Sequence, residues 1–138
     1  MVAAEERILS DKLAMPIIQL AADNFWGNAV GANGEILKAP PNTDPSKPII
    51  PKETALNVVE SSIPVAQAMV CESNWQPYYL SYMAEQRKKE WREEQIAFIG
   101  LLFGVSQQQI ANVLRGSCTS DKRRVLIENY GFQAINTE

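Results

Sequence analysis

The chain has 138 residues, enough for one domain with a buried core, and its 46% hydrophobic and 21% charged residues are the balance of a soluble globular protein. It contains no histidine, which excludes histidine-based acid–base catalysis, histidine-containing triads and the usual zinc and iron sites. The net charge of −3 disfavours a strong non-specific nucleic-acid surface, yet the charge is unevenly placed: residues 1–74 hold five basic and nine acidic residues, residues 75–138 eight and seven.

In chain order, the segment before Lys12 carries three acidic residues and no long apolar stretch, so it does not read as a secretory signal. Ser10 to Ala22 has helical apolar spacing, with Leu13, Ile17, Leu20 and Ala21 on one face, and Pro16 marks a start or a kink. Phe25, Trp26 and Gly27 lead into a turn-rich stretch from Asn28 to Gly34 that contains an Asn33-Gly34 dipeptide. Residues 39–51 hold five prolines, which forbids regular helix or a central strand and predicts an extended connector.

Pro51 then suits the first turn of a helix over Lys52–Ser62, which Pro64 interrupts and Val65–Glu72 resumes. Pro77 opens the longest helical segment, Tyr78–Phe103, in which Gly100 is the one helix-weakening residue. Its first part is charged around Trp91, whereas Ile96–Phe103 is apolar nearly all round through Phe98, Leu101 and Leu102. Such a helix must be covered on several sides, by the N-terminal half or by a second subunit. Ser120–Tyr130 reads as the last helix, and no segment alternates with period two. The expected fold is an all-α multi-helix bundle forming a single domain over 1–138: a helical scaffold or dimerisation part, 1–74, and a second part, 75–138. No apolar run reaches the roughly 18 residues of a membrane span, so no membrane partner is expected.

The stretch Gly104 to Gly116 carries the most specific pattern. Gly104 supplies a turn, Ser106 an N-cap with Gln109 completing a capping box, and Gly116 a stop. Ile110, Val113 and Leu114 form the apolar face of the helix 106–115, leaving Gln107, Gln108, Ala111, Asn112 and Arg115 outward. Amides and a guanidinium on an exposed face are the groups that read base edges in the major groove. Lys122, Arg123 and Arg124 follow, so positive charge gathers beside that helix.

Ile99, Gly100, Phe103, Gly104, Val105, Ile110, Val113 and Gly116 are spaced in a way that resembles the helix-turn-helix of lambda-repressor/Cro-type regulators, over roughly residues 78–132. The resemblance implies a cytoplasmic, homodimeric, non-enzymatic transcriptional regulator. Gln107, Gln108 and Asn112 would face the major groove of double-stranded DNA, Ser106 and Arg115 would contact phosphate or flanking bases, and Lys122, Arg123 and Arg124 would position the backbone, with no metal or organic cofactor.

A second reading stands beside it. Cys71 and Cys118 match no metal-binding spacing; reduced thiols in a cytoplasmic protein are the simpler reading, and one Cys71–Cys118 disulfide in an exported or periplasmic protein is the alternative. A bridge would turn the interpretation toward an exported, non-enzymatic all-α interaction protein, an accessory subunit or an inhibitor acting on a protein partner. Catalysis is not expected, because Glu90 and Glu94 share a helix face with Arg87 and Arg92 in reach, the pattern of surface ion pairs.

Overall fold

The computed structural model describes residues 4–31, 34–39 and 48–132. Asn33 of the expected Asn33-Gly34 turn and most of the proline connector, residues 40–47, lie outside the described residues, while Gly34 has φ 83° and its N–H donates to the Gly31 carbonyl. Among the described residues there are five helices and no strand, so the all-α class is correct. They are α1 (Ala4–Asp23), α2 (Lys52–Val70), α3 (Gln76–Arg87), α4 (Glu93–Val113) and α5 (Ser120–Tyr130). Between α1 and α2 the chain makes a small hairpin-like loop, with one antiparallel bridge between Val30 and Ile36.

Helix continuity departs from the proline and glycine punctuation at three places. Both α1 and α2 run straight through their prolines, Pro16 and Pro64. An interior proline costs a helix about 3 kcal/mol, but Ile63, Pro64, Val65 and Ala66 are all buried, and their packing keeps α2 in one piece. The third departure is at Gly104, through which α4 passes without interruption. Phe98, Ile99, Leu102, Phe103, Ser106, Gln107, Ile110 and Ala111 are buried along it at three- and four-residue spacing. That stripe stays in phase across Gly104, so burial outweighs the roughly 1 kcal/mol that a helical glycine costs.

A break falls where none is signalled by glycine or proline, between Arg87 and Glu93. Arg92 is extended and its backbone N–H donates to Gln95 Oε1 at 2.9 Å, half of a capping box. Trp91 Nε1 donates back to Gln86 Oε1 at 3.1 Å, which fixes the corner. The predicted single helix Tyr78–Phe103 is therefore two helices, α3 and the first half of α4. The last helix matches its expected bounds: Thr119 Oγ1 accepts from Lys122 N–H at 3.2 Å, and Gly131 ends it at φ 69°.

Helices α2 and α4 form the main packing pair and run in the same direction. Gln95 near the start of α4 donates to the Ile49 carbonyl just before α2, and Gln107 further along reaches Met69 near the end of α2. Helix α3 carries the chain back between them, its Tyr79 and Tyr82 rings each 5.1 Å from Phe103. Helix α1 packs on α4 and α2, and Phe25 just beyond it sets its ring edge-on to Phe98 at 5.4 Å. The core thus draws on both sequence halves, with Ile17, Ala21 and Phe25 meeting Val58, Val59, Phe98, Ile99, Leu102 and Phe103.

Candidate functional site: the exposed face of α4

Two surfaces meet on α4, the row of polar residues expected to face DNA and a groove against α1. The expected helix 106–115 is the C-terminal half of α4, and its exposed face is rotated from the expected one. Gln107 is buried and its Nε2 lies 3.4 Å from Met69 Sδ, while Ala111 is buried beside it. Val113, expected inside, is 60% exposed. In a helix continuous through Gly104, the phase set by Ile99, Phe103 and Ile110 carries 107 and 111 inward and 113 outward.

Ser106 is likewise not a cap. It lies mid-helix, fully buried, with its Oγ lacking a hydrogen-bond partner. Four of the expected contacts, Ser106, Gln107, Gln108 and Asn112, therefore divide into two that face the core and two that face outward. Gln108 Nε2 donates to Asn112 Oδ1 at 3.3 Å, and Arg115 donates to the same oxygen at 3.2 Å. These three make one exposed row. Beyond it, Lys122 is half-buried with Nζ 3.5 Å from Ser117 Oγ, Arg123 is exposed, and Arg124 pairs with Asp121 at 3.3 Å on the open surface.

On the adjoining face of α4 an open groove of about 510 Å³ runs against α1. Leu20, Leu101 and Val105 form its apolar floor, Gly100 and Gly104 keep it low, and Asn24, Gln108 and Gln109 rim it with uncharged amides. Leu20 is 42% exposed, and Leu101 and Val105 are only half-buried. A Cβ built on Gly104 meets nothing within 4 Å, so the groove is open there, whereas at Gly100 it approaches Met83 and Tyr79 at 3.5 Å. The sequence signal for this surface is the four-residue Gly100–Gly104 and Leu101–Val105 spacing on a helix that is apolar nearly all round.

Compared with protein-family models, with curated proteins and with solved structures, the chain matches none. The geometry alone therefore carries the functional reading.

Two further findings bear on it. Cys71 and Cys118 are joined in a disulfide, with Cα atoms 5.2 Å apart, so the free-thiol expectation is corrected. The physical reason is the shared direction of α2 and α4, which brings the residues just past both C-termini to one end of the bundle. Helix α4 is also long and apolar enough to cross a membrane by length and composition, which the run-length reading of the sequence did not detect. In the fold described here it is the central core helix, packed by α1, α2 and α3.

Among the described residues no group of three metal-ligating side chains converges. Glu94 has its carboxyl held below the ordinary glutamate range, chiefly by the hydrogen bond from Arg92. The expected helix face shared by Glu90 and Glu94 is corrected, because Glu90 lies in the break between α3 and α4; Glu94 pairs with Arg92 as a surface ion pair.

Proposed function

We propose that this protein is a small all-α interaction module of an oxidising compartment, and that its partner is a second copy of the chain docked through the α1–α4 groove. One observation carries the reading: the groove floor is apolar and half-exposed, and its rim is uncharged. Leu20, Leu101 and Val105 remain partly in water in a single copy, and covering them is favourable. A two-fold interface requires a patch complementary to itself, and an apolar floor with an uncharged rim supports that requirement. Amides both donate and accept, so Asn24, Gln108 and Gln109 can pair across an axis where carboxylates or ammonium groups would repel. Gly104 at the centre allows close approach of two α4 helices. The bridge supports the compartment, since structural disulfides persist where the surroundings are oxidising.

Sedimentation of the oxidised protein against a Gly104→Glu variant tests this reading. The glutamate has open space in one copy and raises helix propensity, so the monomer fold is retained, but two copies would bring like charges together. The expected result is a wild-type dimer and a monomeric variant of equal helicity. A wild type that stays monomeric to its solubility limit, or a variant that dimerises equally, overturns the proposal.

The DNA-reading alternative is favoured by a different observation, the exposed row Gln108–Asn112–Arg115 with Arg123 and Arg124 beyond it. It would operate without Ser106 and Gln107. A random duplex pool decides it: selection of a recurring site, with affinity falling steeply as salt rises, would establish DNA binding. The same pool with no binding at low salt would remove it.

A further inference from the structure

Helix α5 stands apart from the main core. Leu126 is its one buried residue, and Val125, Ile127 and Tyr130 are each more than 40% exposed. Leu126 and Phe132 join Ala68 and Cys71 in a small cluster of their own, bordered by Trp75, Tyr78 and Cys118. The rings of Tyr78, Tyr130 and Phe132 meet at 5.3–5.8 Å around it. Polar contacts at α5 are local, Lys122 with Ser117 and Arg124 with Asp121. The remaining attachment is covalent: Cys118 directly precedes the N-cap Thr119, and its sulfur is bonded to Cys71 at the C-cap of α2.

We propose that the Cys71–Cys118 bridge is a redox clasp that docks α5 on the end of α2, and that a dithiol reductant releases α5 while the body of α1–α4 stays folded. The argument is one of separable attachment. The body's core, from Ala14 to Ala111, contains no residue of α5, and the two clusters share only Trp75 and Tyr78 at their border. Helix α5 has one buried side chain within it and one beyond, too little to hold an 11-residue helix firmly once the tether is gone. Gly116, at φ 80°, lies in the connection and provides a pivot.

The chemistry also favours entry from one side. Cys71 is buried to 1% exposure, whereas Cys118 is half-exposed, so an incoming thiolate reaches the Cys118 sulfur first. A thiolate of the dithiol attacks Cys118 Sγ and forms a mixed disulfide, and Cys71 leaves as a thiolate that takes up a proton. The second thiol of the reductant then displaces Cys118, which is also protonated. One protein disulfide becomes two thiols and the dithiol becomes a disulfide, a transfer of two electrons and two protons. The device is independent of self-association, which the sedimentation experiment tests separately.

Hydrogen exchange on the full chain, read by mass spectrometry with and without dithiothreitol, decides the matter. The expected result is exchange at least about tenfold faster for the amides of 120–132 after reduction, with the amides of α4 unchanged, and recovery on reoxidation. The double variant Cys71→Ser, Cys118→Ser should reproduce the reduced pattern without reductant. Equal α5 protection in the two states overturns the clasp, and so does loss of protection in α4 together with α5, which would make the bridge a staple of the whole fold. A protein purified without reductant that shows two free thiols overturns it directly and removes the compartment assignment, leaving dimerisation as a separate question.

Discussion

Helices α4 and α5 lie a few residues apart in sequence, yet they are held by opposite means. Helix α4 has a mixed local signal, with two glycines inside it and no side-chain cap at its C-terminus, and is secured by burial against α1, α2 and α3. Helix α5 has a strong local signal, a Thr119 cap and a Gly131 stop, and is secured by one leucine, one trailing phenylalanine and a disulfide. The contrast teaches that helix formation and helix docking are different quantities. Capping chemistry sets where α5 begins and ends but contributes little to where it sits, whereas burial both positions α4 and keeps it helical through a residue that would otherwise end it.

The sharpest way to break this contrast is to empty one side chain from each region. Phe103→Ala removes a fully buried ring flanked by Tyr79 and Tyr82 and should cost about 3–5 kcal/mol in urea unfolding. Leu126→Ala should cost about 2–4 kcal/mol in the local opening of α5, read by hydrogen exchange, with α4 protected as before. Equal global losses from the two would show one cooperative unit instead of a body and a satellite.

A smaller effect distinguishes a continuous α4 from one with a turn at Gly104. Ser106→Ala should stabilise the protein by about 1 kcal/mol, because it removes a buried hydroxyl without a partner from a helix interior. Gly104→Ala should add about 0.5–1 kcal/mol for the same helical reason, its Cβ meeting nothing within 4 Å. A cap and a turn would give the opposite sign at both positions, so thermal denaturation of the two variants is decisive.

The smallest effect concerns the corner between α3 and α4. The lowered Glu94 pKa means that its contribution to stability is complete above the ordinary glutamate range and is lost as the pH falls through the depressed folded value. Arg92→Ala should raise the Glu94 pKa toward the ordinary value in an NMR titration, with little change in stability because the Arg92 side chain is mostly exposed. An unmoved Glu94 titration would show that Arg92 is not the cause.

The candidate surface was legible in part. The all-round apolarity of Ile96–Phe103 announces a helix to be covered on several sides, by the N-terminal half or by a second subunit; α1 and α2 cover most of it, and Leu101 and Val105 stay half-exposed in the groove. Gln108, Asn112 and Arg115 are exposed as expected, whereas Gln107 and Ser106 are inside, because an inferred turn at Gly104 set the wrong phase for everything after it. Leu20 was expected on the apolar face with Ile17 and Ala21 but is 42% exposed at the edge of that face, and Asn24 had no signal of its own; both join the groove only through the packing of α1 on α4.

By itself the amino-acid sequence determined the all-α class, the absence of histidine chemistry and the ends of α5, all of which depend on composition or on contacts within a few residues. The tertiary structure decided that α2 survives Pro64, that α4 survives Gly104 and that α3 ends before Arg92. The first two are local costs of about 1–3 kcal/mol set against burial by helices far away in sequence, and the third is a corner held by Trp91 on Gln86 and Gln95 on Arg92. It also decided the pairing of Cys71 with Cys118 across 47 residues, because only the parallel packing of α2 and α4 brings their two ends together.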